Sequence, residues 1–303
     1  MKKAIFSLVA FTFLAIFGVI QAPSILAEEK TDTEKSPIKI QISPVAKRLM
    51  LNPGEKNDGE FTVQNIGEKA FNFKLSASPY SMNDEDSGLN FSSETQFTQL
   101  SRWVTFDQPS YQLEAGGTQL VKYHIDVPED VAGGGQYAVI FAEASSLDTA
   151  TVGGVKATSR VGLVLYSRIS GETREAADIL EYSFPNYFLT FDAPKLTVSG
   201  KVKNTGNTDF EASYHLEVKP FFGGDPVFER DVKKLALPGA TVAEKIVWDQ
   251  TPLLGFFNVK YSVNLPGSAS RSESKIVIFI PAWLALITLT LLTGIIIWIT
   301  ILI

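Results

Sequence analysis

The stretch "VQNIGEKAF" (residues 63–71) is said again at residues 202–210 as "VKNTGNTDF". Val63, Asn65, Gly67 and Phe71 recur as Val202, Asn204, Gly206 and Phe210 at identical spacing. Asn bonds readily to nearby backbone and Gly accepts positive φ, so V-x-N-x-G-x-x-x-F reads as strand, turn, strand. Val closes one strand and Phe opens the next. Two further landmarks follow in the same order. "EAGGTQLVKYHI" (114–125) is echoed by "LPGATVAEKIVW" (237–248), and "GQYAV" (135–139) by "GFFNV" (255–259). One module is therefore written twice, and its corner is a folding device rather than a ligand site.

The text between the landmarks alternates. "GEFTVQN" puts Phe61 and Val63 on one face, "AFNFKLSA" does so with Phe71, Phe73 and Leu75, and "LVKYHIDV" with Val121, Tyr123, Ile125 and Val127. "KLTVSGKVKN", "FEASYHLEV", "TVAEKIVWD" and "FFNVKYSVN" continue the pattern in the second half. A period of two broken by short polar turns specifies antiparallel strands with one buried face. No long amphipathic helix is written between residues 38 and 275. The fold class expected is all-β: two tandem immunoglobulin-like β-sandwiches, residues 38–172 and 173–274, of roughly seven strands each.

Both ends are apolar. "MKKAIFSLVAFTFLAIFGVIQAPSILA" has two lysines, an apolar run, and Ile25 and Ala27 at the −3 and −1 positions of a cleavage site. That is the layout of a signal peptide, residues 1–27. The polar stretch 28–37 reads as a flexible leader. From Ile276 to Ile303 no side chain is charged, and Trp283 and Trp298 stand near the two ends of the run. Residues 276–303 are expected to be a transmembrane anchor, in which Pro281 is tolerated where it starts the helix. The chain is then a single-pass protein of the cell membrane, its ectodomain on the extracytoplasmic side.

Little in the sequence does chemistry. There are no cysteines, which removes disulfides, thiol chemistry and thiolate metal sites. The formal net charge is −6, against nucleic acid as a partner. His124 and His215 sit on polar strand faces in different modules, with no partner visible in the sequence and no catalytic triad around them. No catalytic residue and no cofactor is expected, and the protein is expected not to be an enzyme. "AGGGQ" (132–136) lacks the Lys-Ser/Thr of a phosphate cradle and reads as a tight connection. In "NDEDSGLNFSSE" (83–94), Asn83, Glu85, Ser87 and Glu94 have the spacing of calcium ligands around Gly88, but no helix flanks them. A solvated loop is the stronger reading, with that set as the metal candidate. Binding is placed on loops at the sandwich ends: residues 80–100, 128–136 and the hairpin tip 145–160. Asp84, Asp86, Trp103 and Tyr137 are the candidate contacts. Trp103 has two readings, a core residue or a ring that stacks on sugar.

"SRWVTFDQPSYQLEAGGTQLVKYHIDVPEDVAGGGQYAVIFAEAS" (101–145) resembles the N-terminal module of WxL-interacting surface proteins, the DUF916-type family of bacterial envelopes. The resemblance is carried by a Trp-hydrophobic-x-Phe strand, a Leu-x-x-Gly turn and V-P-x-D-x-x-G-G-x-x-Y. It implies a wall-facing binding protein, with cell-wall glycan (peptidoglycan) as partner of the first module and an envelope protein as partner of the second. "ISPVAKRLMLNPGEKNDGEFTVQN" (42–65) also resembles the opening strands of pilus-assembly chaperones, which join two immunoglobulin-like domains. That likeness implies capture of a partner strand on an exposed sheet edge. A purely structural surface stalk is the third reading.

Overall fold

The computed structural model describes residues 38–83, 88–147, 158–184, 188–190, 195–266 and 270–302. The expected signal peptide (1–27) and leader (28–37) lie outside the described residues. In chain order the strands are β1 (Ile40–Ser43), β2 (Ala46–Leu51), β3 (Lys56–Asn65), β4 (Phe71–Pro79), β5 (Ser81–Met82), β6 (Leu89–Asn90), β7 (Val104–Phe106), β8 (Ser110–Leu113), β9 (Thr118–Asp126), β10 (Gly134–Ser146) and β11 (Thr158–Ile169). The second half contains β12 (Ala177–Ser183), β13 (Phe188–Thr190), β14 (Leu196–Asn204), β15 (Phe210–Pro220), β16 (Phe228–Ala236), β17 (Thr241–Trp248), β18 (Gly255–Asn264) and β19 (Arg271–Pro281). Among the described residues there are two helices, a single turn α1 (Leu100–Trp103) and α2 (Ala282–Leu302).

The described residues are all-β apart from those helices. In the first half, sheets β1-β3-β9-β7 and β2-β11-β10-β4-β8 enclose one core of Phe61, Val63, Phe71, Phe73, Tyr123 and Ile140 with their neighbours. In the second, sheets β12-β14-β17 and β13-β19-β18-β15-β16 enclose another, around Val198, Tyr214, Trp248, Tyr261 and Phe279. The alternating strands drive this: β3 and β4 bury every second residue over most of their length, and each large apolar side chain so buried contributes about 1.5–3 kcal/mol. The two halves repeat down to an unusual detail. In each, a short early strand runs parallel to the last one, β2 along β11 and β13 along β19.

The twice-written corner proves to cross between sheets. Strand β3 belongs to the four-stranded sheet and β4 to its five-stranded partner; β14 and β15 are divided likewise. The Asn side chain is fully buried at the crossing and satisfied on both ends. Asn65 donates from Nδ2 to the Lys69 and Leu113 carbonyls (2.8 and 3.3 Å), and its Oδ1 accepts from Gly67 N–H (3.0 Å). Asn204 repeats the set with Thr208 and Ala236 (2.9 and 2.8 Å) and Gly206 N–H (2.9 Å). The glycines are there for space and not for positive φ, which neither adopts. A Cβ on Gly206 would lie 2.2 Å from the Arg174 carbonyl oxygen. The second repeated phrase has a similar cause. Tyr137 folds its ring back over Gly135, and Phe257 over Gly255, so a Cβ at either glycine would meet ring atoms within 2.5 Å.

The last strand runs further than the sequence suggests. Residues 276–281, assigned to the anchor, belong to β19, where Val277 and Phe279 are wholly buried in the second core. Pro281 ends that strand, and the helix begins at Ala282. An alternating apolar strand that runs straight into an apolar helix leaves no polar boundary to read. The side chains of α2 are described through Ile296 and at Ile299. Among the described residues no helix is long and apolar enough to cross a membrane.

Candidate functional site

Two features stand out, the joint between the sheet pairs and one free strand edge. At the joint, Tyr137 on β10 meets the second corner. Its hydroxyl donates to Asp209 Oδ1 (2.9 Å) and accepts from Asp209 N–H (2.8 Å). Arg48 on β2 donates to Asp209 Oδ2 (2.9 Å) and stacks over Tyr166 at 4.9 Å. Burial pushes the Tyr137 phenol far above its ordinary range, so it stays a neutral donor. Asn207 ties down the glycine run: it donates to the Gly133 and Glu172 carbonyls, and its own carbonyl accepts from Gly135 N–H at 2.7 Å. Tyr80, Val139, Phe141, Leu237 and Ala240 form a small third core at this joint. A cleft of about 270 Å³ opens beside it, lined by Tyr80, Met82, Phe97, Tyr137, Leu237 and Gly239 among others.

This geometry corrects several expectations. Tyr137 is only 1% exposed and belongs to the joint, with its hydroxyl taken up by Asp209. The 128–136 turn, expected to bind, has its glycine end pressed against the second half: Cβ atoms on Gly133 and Gly134 would sit 2.7 Å from backbone atoms of Gly171 and Asn207. Trp103 is buried in the first core at 8% exposure and presents no ring to a sugar. It lies in α1 rather than on a strand, and the helical turn lets Leu100 and Trp103 face inward together. Asp84, Asp86, Glu85 and Ser87 lie outside the described residues, as does 148–157 of the hairpin tip. Of the metal candidate, the Asn83 side chain accepts from Asn90 (3.1 Å) and Glu94 is paired with Arg102.

Both histidines have carboxylate partners, which the sequence hid because strand register decides them. His215 Nδ1 lies 2.7 Å from Asp231 Oδ1, and Glu229 brings a third possible metal-ligand atom within 4.8 Å on the same exposed face. His124 is held on both ring nitrogens, by Asp107 (2.7 Å) and Asp58 (2.6 Å), joining β9 to β3 and to the segment after β7. Both nitrogens can donate only in the imidazolium, so the bonds to Asp107 and then to Asp58 raise its pKa above 6.5. A raised folded pKa gives stability that is present below pH 6.5 and lost as pH rises through the folded value. The melting temperature should therefore fall as pH is raised from about 6 to about 9, and His124→Gln should flatten that part of the profile. An unchanged slope in the variant would show that the clamp contributes nothing.

The free edge is on β11. One side of β11 pairs with β10 from Thr158 to Ile169. The other side pairs with β2 only over Val164–Ile169. Val164 N–H points to that second side, bonding the Val45 carbonyl at 2.9 Å. Backbone groups alternate sides along a strand, so Arg160 and Gly162 turn their N–H and C=O the same way. Among the described residues, no strand pairs with them there. Arg160 caps the outer face by stacking on Phe141 at 4.1 Å.

No family model and no curated protein matches the chain. It is similar to solved structures of chaperones: the class 5 fimbriae chaperone CfaA (15% identity, TM-score 0.40, covering 80% of this chain and 100% of that one), the Escherichia coli chaperone DraB (13%, 0.38, 79% and 97%) and the Pseudomonas aeruginosa chaperone CupB2 (10%, 0.34, 76% and 97%).

Proposed function

We propose that this chain is a non-catalytic, membrane-tethered protein of the bacterial surface. Its two tandem immunoglobulin-like sandwiches take up an extended segment of an envelope protein on the open edge of β11. The observation that carries this reading is the unmatched register: β10 pairs along all twelve residues of β11, and among the described residues β2 pairs along the other side over the last six alone. An added strand would gain main-chain hydrogen bonds and set alternate side chains against the sheet. The anchor is supported by the uncharged sequence of α2 from Ala282 onward and by the signal-like layout of residues 1–27. The order of parts also fits the WxL-interacting family. Both histidines are held by carboxylates that tie strands together, an arrangement that supplies no nucleophile. For glycan, the two aromatic contacts expected from the sequence are buried, which makes protein the favoured partner.

A photo-crosslinking residue in place of Thr158, in the full chain and in its own cells, tests the edge. Protein adducts should form, persist in Arg160→Ala and be lost in Arg160→Pro, which removes an edge N–H. Adducts indifferent to the proline, or made only with glycan, would sink the reading.

A further inference from the structure

Five large apolar side chains lie bare at one end of the second half. Phe222 is 87% exposed, and Phe221, Leu253, Leu254 and Phe256 each exceed 40%. Phe221 and Phe222 come from the connection β15–β16, Leu253 and Leu254 from the connection β17–β18, and Phe256 from the start of β18. The connections are stitched together: Phe221 N–H donates to the Phe256 carbonyl at 2.9 Å, and the ring of Phe222 lies 5.2 Å from Phe221 and 6.4 Å from Phe256. Single exposed apolar residues are ordinary, but a contiguous set of this size marks a contact surface.

Its position says what it contacts. Phe256 is opposite Ile278 on β19, and Gly255 is opposite Phe279. The helix α2 starts at Ala282, four residues after Ile278, or about 13 Å of extended chain. The Phe256 end of the patch therefore lies on the strand beside the end of β19 from which the apolar helix leaves, where Trp283 is half exposed. Aromatic and leucine side chains at such a level suit the headgroup boundary of a bilayer. Asp225 and Asp249 are the acidic residues within the two connections, which favours zwitterionic over anionic lipid.

We propose that Phe221, Phe222, Leu253, Leu254 and Phe256 enter the lipid interface and seat the second module on the membrane. The proposal rests on the anchor reading above. It fixes the height and tilt of the module, so that the first module stands at a set distance from the bilayer.

The chain has no cysteine, so single labels are simple to place. Full chain carrying Phe222→Cys, Leu254→Cys, Leu291→Cys or Glu114→Cys, each with an environment-sensitive fluorophore, is reconstituted in phosphatidylcholine vesicles containing nitroxide lipid. Labels at 222, 254 and 291 should shift to the blue and be quenched by lipid, while 114 stays in water. Quenching at 291 with 222 and 254 in water would overturn the seat and leave the anchor standing. No quenching at 291 would remove the anchor, and the seat with it. Shielding at 222 and 254 that follows protein concentration instead of lipid would assign the patch to a second copy, against the proposal.

Discussion

Asn204→Asp should be the most damaging single-atom change in the chain, costing about 3–5 kcal/mol of unfolding free energy in denaturant titration. The wild-type side chain donates twice, to the Thr208 and Ala236 carbonyls, from a site with no solvent exposure. The aspartate would place a carboxylate oxygen against those two carbonyls, and a buried charge with no counter-charge. Asn204→Ala should cost less, about 2–3 kcal/mol, because it leaves polar groups unsatisfied without adding repulsion. The same order is expected at Asn65, which makes the equivalent bonds in the first half. If Asp and Ala variants were equally mild, the corner would not be the inter-sheet pin described above.

Gly134→Ala should uncouple the two halves. Gly134 holds φ at +131°, and a Cβ there would lie 2.7 Å from the Asn207 carbonyl oxygen. Backbone strain and overlap together cost about 3 kcal/mol. The chain can relieve them by swinging the glycine run away from Asn207, which forfeits the Gly135-to-Asn207 bond. Calorimetry of the wild type should show one unfolding transition, and of the variant two. Trypsin should cut the variant faster at Arg174, in the connection between β11 and β12, whose side chain donates to the Thr205 carbonyl (2.8 Å). A single cooperative transition with unchanged cutting would show that the joint does not couple the halves.

The parts of this protein that depend on neighbours in sequence were legible before the structure. Asn65 bonds the carbonyl four residues on, and β3, β4 and β9 bury the alternate residues that their pattern names. The parts that depend on register or on sheet pairing were not. Tyr137 and Asp209 are 72 positions apart, and nothing near either residue announces the other. His124 finds Asp58 only because β3 and β9 pair in one particular register, Asp58 opposite His124. Trp103 keeps two readings in the sequence because four helical residues inside an alternating text change which side chains share a face. Among the described residues, the unpaired edge of β11 is a property of where β2 stops, and "SRVGLVLYSRI" gives no sign of that.

Amide hydrogen exchange of β11 in the free full-length chain tests the vacant edge most directly. Val161 and Leu163 turn their N–H groups toward β10 and should exchange slowly, while Arg160 and Gly162, facing the open side, should exchange at rates near those of unstructured peptide. Equal protection at all four positions would mean that the edge is already covered, and would contradict the claim that β11 waits for a partner strand.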